Sequence, residues 1–193
     1  MLTYNDCLGL SGLTPEQVAA LAHHEHLPEI VALEMGWSLC GTPEGQQRIR
    51  RMILDEVAAV CRQGDPRAGA RLGLALHRFL EAHGTPKTFR EAWEEVPTAL
   101  GLGPAEAARL RERLATCFAP MLERVGLDEA AQARRPDQMR AAALCCAACT
   151  EAGRCRRFLA GQDAAGPPVA FCPNAGLFAA LQDSAGGREG PDR

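Results

Sequence analysis

The sequence predicts an all-α protein, with an N-terminal helical bundle and a small C-terminal helical module carrying four clustered cysteines. Three observations predict this. Helix start signals recur along the chain and are followed by apolar residues at three- and four-residue spacing. No window alternates apolar and polar residues with the β-branched enrichment of a strand. Apolar residues make up 47% of the 193 residues and aromatics only 5%, so the core must be built mainly from Ala, Leu and Val.

The elements follow in order. Thr14-Pro15-Glu16-Gln17 combines an N-cap, a proline at the first helical position and a capping-box Gln, predicting a helix to about His26. Pro28 opens a second helix that stops near Cys40-Gly41. Thr42-Pro43 caps a third, ending near Gln63-Gly64, with Ile49, Met52, Ile53, Val57 and Val60 as its apolar stripe. Asp65-Pro66 caps a fourth, ending at His83-Gly84. Thr88 to Glu91 reads as a capping box for a short helix cut by Pro97. Pro104 starts a long Arg/Glu-rich helix in which Pro120 predicts a kink or break. This divides the chain into a helical bundle over 1–125, a linker or short helix over 126–135, a cysteine-rich module over 136–183 and a disordered tail over 184–193.

Charge and length narrow the function classes. With 21 basic and 24 acidic residues the formal net charge is −3, which gives no nucleic-acid signal and no polybasic membrane signal. Lys87 is the only lysine. The N-terminal MLTYNDCLGL lacks a basic n-region and an apolar h-region, and no apolar run reaches membrane-spanning length. The expectation is a cytoplasmic protein with reduced thiols. No P-loop, dinucleotide fingerprint, nucleophile elbow or HExxH motif occurs.

The nine cysteines carry the strongest signal, and an odd number argues against a complete disulfide framework. Cys7, Cys40, Cys61 and Cys117 are scattered and read as small buried hydrophobes. Cys145, Cys146, Cys149, Cys155 and Cys172 fall within 28 residues. Cys146-x2-Cys149-x5-Cys155-x16-Cys172-Pro173 lets two thiolates converge from one turn, a third from the next loop and a fourth from a distant segment. Four thiolates suit an iron–sulfur cluster or tetrahedral zinc. The predicted ligands are therefore Cys146, Cys149, Cys155 and Cys172, holding a [4Fe–4S] cluster, with zinc as the alternative. Cys145 is either a buried spare or the ligand in place of Cys146.

The C-x2-C-x5-C spacing resembles the last three cluster ligands of the helix-hairpin-helix DNA glycosylases of the endonuclease III type. Their first ligand would fall at Met139, which supplies no thiolate. Cys172-Pro173 resembles the closing Cys-Pro of bacterial ferredoxins. Residues 136–182 as a whole resemble an uncharacterised cysteine-rich domain of short proteobacterial proteins. Its pattern is matched here by Cys146, Cys149, Cys155, Phe158-Leu159, Phe171-Cys172-Pro173-Asn174-Ala175 and Phe178, with Phe158 standing where Trp is more usual. The domain has no known function, so the resemblance implies no activity. Residues 1–85 resemble a bacterial helical protein of unknown role.

Local roles follow from position. Asn174 would cap a helix over 175–181, whose N-terminal amides would face the cluster sulfurs. Arg154, Arg156 and Arg157 flank Cys155 and would offset thiolate charge, dock an acidic partner or form a solvated face. A second candidate is His23-His24-Glu25-His26-Leu27-Pro28-Glu29. There His23 and His26 are three residues apart on a helical face, with Glu29 three further on. With a facing Glu34, Asp55, Glu56, His77, Glu81 or His83 this would form a bundle metal site, while the alternative is helix-end histidines that complement the dipole. Three functions are thus expected: a cluster-binding redox or sensing accessory that works with a protein partner, a zinc-stapled interaction module, or a small metalloenzyme using His23, His26 and Glu29.

Overall fold

The computed structural model describes residues 3–83, 101–162 and 165–186, whose regular structure is all helical, with no β-strand among them. The predicted helix between Thr88 and Pro97 lies outside the described residues, as does the end of the predicted tail. No helix among the described residues is long and apolar enough to cross a membrane.

Capping sets most of the boundaries. Helix α1 (Tyr4–Ser11) starts at Thr3, whose hydroxyl accepts from the Asp6 amide while the Asp6 carboxylate accepts from the Thr3 amide. Helix α2 (Pro15–Glu25) opens on the Thr14–Gln17 capping box. The buried Gln17 also donates from Nε2 to the Ala75 carbonyl at 2.9 Å, which ties this start to a helix 58 residues away. The helix ends at His26 in the left-handed conformation, φ 55°, with the Leu27 amide reaching back to the Ala22 carbonyl.

Helices α3 (Glu29–Cys40) and α4 (Pro43–Arg62) meet at a tight corner. Thr42 caps α4 by accepting from the Gly45 amide, and a Cβ on Gly45 would lie 2.2 Å from the Leu39 carbonyl oxygen, so only glycine fits. Helix α5 (Pro66–His83) begins at Asp65, which accepts from the Ala68 amide.

Helix α6 (Pro104–Arg113) runs into a π-turn over Leu114–Phe118, and helix α7 (Ala119–Arg124) continues from it. In the π-turn the Ala119 amide bonds the Leu114 carbonyl, five residues back. Pro120 has no amide to give to the α-helical ladder, so the break predicted there takes the form of a wider turn. Helix α8 (Glu129–Ala133), capped by Asp128, occupies the predicted linker. Helices α9 (Pro136–Ala148), α10 (Ala152–Leu159) and α11 (Ala175–Gly186) complete the chain, with a short 3-10 turn at Pro168–Ala170. Helix α11 extends three residues into the segment predicted as tail.

Helix α9 lies at the centre, against α4 and α5. Its run Ala141, Ala142, Ala143, Leu144 and Cys145 is fully buried, and small residues let the neighbours approach closely. Gly73 of α5 would bring a Cβ to 3.4 Å from Ala141, a contact with no room for a longer side chain. One continuous cluster of buried side chains joins Leu13 of the bundle to Leu181 of α11. The Arg50–Asp137 ion pair, 2.9 Å, fastens the first turn of α9 to α4.

His77 is buried in α5, and desolvation pushes its pKa below the usual 6.5, while Glu81 pulls the other way. The unfolded chain therefore binds a proton near pH 6.5 that the folded chain refuses. The stability associated with neutral His77 is present above that pH and lost as the pH falls through it. Thermal melts of the wild type should drop more steeply than those of His77→Gln between about pH 7.5 and about pH 5.5. Equal slopes would remove His77 as the cause.

Candidate metal centre

The end of α9 is where the cysteine pattern becomes three-dimensional. Cys145 and Cys146 are successive residues on a helix, so their side chains diverge by about 100°. Cys145 is fully buried and points to α4, with its Sγ 3.9 Å from the Cys61 Sγ. Cys146 points the other way, into a cavity. The helix stops at Cys149, whose backbone turns extended (φ −66°, ψ 130°), and α10 then brings back Cys155. The 3-10 turn before α11 delivers Cys172.

Cys146, Cys149, Cys155 and Cys172 line this one cavity, and Cys117 from the π-turn lines it with them. Cys117 was expected to be a packing residue like Cys7 and Cys40. It is buried, but it adds a fifth thiol to the site, because the π-turn faces α9 and α10. The remaining wall is mostly apolar, Phe118, Met121, Phe171 and Phe178 among its residues, with Arg113 and Asn174 at its edge. The void is about 20 Å³, room for roughly one water-sized sphere, because the thiols themselves fill much of the space.

Several donors point at the sulfurs. The Glu151 amide lies 3.3 Å from the Cys149 Sγ. Backbone amides of Asn174 and Ala175 donate to the Cys172 sulfur at the start of α11. The Asn174 side chain does not cap that helix. It is buried, and its Nδ2 donates to the Ala142 carbonyl at 2.8 Å, tying α11 to the centre of α9. Arg113, the last residue of α6, donates from Nη1 to the carbonyls of Ala147 (2.7 Å) and Cys149 (3.1 Å), holding the CxxC turn in place.

Cys146, Cys149, Cys155 and Cys172 hold their protons more tightly than an ordinary thiol. Burial raises Cys146 far above the ordinary thiol value, and the neighbouring cysteines add to the shift. Burial, followed by the charge of Cys117, pushes Cys155 up to about 12. Cys172 is pushed up to about 11, also mainly by burial, with the Asn174 and Ala175 amides opposing. Desolvated thiolates crowded together need a cation to offset their charge. Among the described residues, no three His, Cys, Asp or Glu groups stand close enough together to hold a metal ion as placed.

The flanking arginines divide. Arg154 donates from Nε to the Ala165 carbonyl at 2.6 Å and stacks over Phe171 at 5.2 Å, so it braces the loop that carries Cys172. Arg156 and Arg157 are exposed.

The histidine segment is not gathered into one site. His23 Nδ1 pairs with the buried Glu56 at 2.6 Å. His26 lies past the end of α2 in a left-handed conformation, so the shared helical face with His23 is lost, and its Nδ1 instead meets the His23 carbonyl at 2.8 Å. Glu29 accepts from the Tyr4 hydroxyl at 3.3 Å. His24 contacts Glu25 and Asp55.

Sequence reasoning missed Cys117, Arg113 and the aromatic wall. Pro120, three residues after Cys117, was the available signal that this helix turns irregular there. No curated protein matches the chain, and no solved structure does. Residues 106–184, which contribute every thiol of the cavity, match the model of a family described as a family of unknown function (DUF6455), so this part of the chain carries an uncharacterised domain.

Proposed function

We propose that residues 106–184 hold a [4Fe–4S] cluster through the thiolates of Cys146, Cys149, Cys155 and Cys172. On this reading the protein is a cytoplasmic redox or sensing accessory to a protein partner. The observation that carries the reading is the convergence of those four thiols, singled out by spacing, on one apolar cavity. Such a cluster, when bound, supplies one-electron chemistry at a potential tuned by its surroundings.

The chain's own groups fit that task. Phe118, Met121, Phe171 and Phe178 exclude water. The amides of Glu151, Asn174 and Ala175 donate to sulfur, which draws off negative charge and raises the potential. Arg113 fixes the CxxC turn and brings a positive charge beside Cys149.

Four converging thiols, with amide donors aimed at two of them, suit a cluster. The small void favours the second reading, a zinc-stapled interaction module, since one ion needs less room than four irons and four sulfides. A single experiment separates them. Anaerobically purified protein is assayed for iron, zinc and acid-labile sulfide beside its visible spectrum. Iron and sulfide with a broad visible absorbance support the cluster. Stoichiometric zinc with no colour selects the module, and neither metal sinks both.

A further inference from the structure

Outside this site the chain holds a second sulfur pair. Cys61 of α4 and Cys145 of α9 are 84 residues apart in sequence, both buried, and in van der Waals contact at 3.9 Å between their Sγ atoms. Space is reserved for them. A Cβ on Gly69 of α5 would lie 2.7 Å from the Cys61 sulfur and 3.0 Å from the Cys145 sulfur. The pair is also reachable. Cys61 lines a cavity of about 500 Å³ shared with three arginines, Arg62, Arg109 and Arg113, and one carboxylate, Glu106, while Cys145 is fully buried. That cavity is much larger than a hydroperoxide, and its guanidinium groups suit an anion leaving from an attacked oxygen.

We propose that Cys61 and Cys145 form a peroxide-responsive dithiol that closes to a disulfide joining α4 to α9. The Cys61 thiolate attacks one peroxide oxygen, so an S–O bond forms and the O–O bond breaks. Cys61 becomes a sulfenic acid, and the departing hydroxide takes up the proton that Cys61 released, giving water. The Cys145 sulfur then attacks the Cys61 sulfur. The S–S bond forms, the S–O bond breaks, and the leaving hydroxide accepts the Cys145 proton as a second water. Two thiols are oxidised by two electrons and hydrogen peroxide is reduced to two waters. Closing the bond brings the sulfurs from 3.9 Å to about 2.05 Å.

The test treats the reduced full-length protein with one equivalent of hydrogen peroxide, then maps cysteines by alkylation, proteolysis and mass spectrometry. The expected result is a loss of two alkylatable thiols, one Cys61–Cys145 disulfide and its reversal by dithiothreitol. In Cys145→Ala, dimedone should trap a sulfenic acid at Cys61, whereas Cys61→Ala should give no adduct at Cys145. Both cysteines remaining alkylatable in the wild type would overturn the proposal, as would disulfides confined to Cys117, Cys146, Cys149, Cys155 and Cys172. Should either variant not fold, the wild-type map decides alone. Iron is assayed on an untreated anaerobic aliquot of the same preparation, because peroxide itself dismantles a cluster. A Cys61–Cys145 link in iron-free protein keeps this proposal and sinks the cluster, and bound iron without the link does the reverse.

Discussion

Cys146→Ala is expected to lose bound iron and sulfide to background, and Cys145→Ala is expected to keep both. The two residues are neighbours in sequence and chemically identical, so the contrast isolates direction. Cys146 faces the cavity shared with Cys149, Cys155 and Cys172, whereas Cys145, about 100° around α9, faces Cys61. Removing Cys145 leaves a small apolar gap in the α4–α9 contact at a cost of about 1 kcal/mol, which a domain of ordinary stability tolerates. Metal analysis of the two variants after parallel anaerobic purification decides the point. Loss in Cys145→Ala with retention in Cys146→Ala would reverse the ligand assignment.

Phe118→Ala should give the largest loss of stability. Phe118 is 1% exposed, packs on Phe178 with ring centroids 6.3 Å apart, and belongs both to the continuous core and to the wall of the thiol cavity. Truncating a buried phenylalanine costs about 3–5 kcal/mol, a large share of the roughly 5–15 kcal/mol that holds a domain folded. For a chain of this size that corresponds to a fall of about 10 °C or more in Tm. Water would also gain entry beside the sulfurs. A second effect is then expected in protein that carries iron, faster bleaching in air than in the wild type. A melt within about 2 °C of wild type would mean that the site collapses around the missing ring.

What the sequence disclosed was mostly local. Thr14, Thr42, Asp65 and Pro104 announce their helices because a cap acts within three residues of itself. Thr3 and Asp6 announce α1 in the same way, and that helix was readable but overlooked. The four thiols at 146, 149, 155 and 172 were legible because a cysteine pattern has its own spacing. Cys117 was not, since its place in the cavity depends on α6 and the π-turn packing against α9, which no spacing encodes. Long-range pairing also decided the other roles. Asn174 reads locally as a cap, yet its amide reaches a carbonyl 32 residues away. His23 and His26 read as one face, yet Glu56 of α4 takes the first and the helix end takes the second. The buried Cys61–Cys145 contact, spanning α4 and α9, left no trace in sequence beyond Gly69.

The π-turn between α6 and α7 amounts to one extra residue spliced into a helix. Each residue of an α-helix advances the chain by about 100°, so this single insertion sets the azimuth of everything beyond it. Shortening the segment by one residue would straighten the helix and swing Cys117 and Phe118 away from α9 while leaving their chemistry untouched. The composition of the site would be unchanged, yet one thiol and one aromatic of the wall would be gone. Membership of this cavity is therefore written partly in chain length, and variants of this domain can be sorted by counting residues between Arg113 and Pro120 before any side chain is compared.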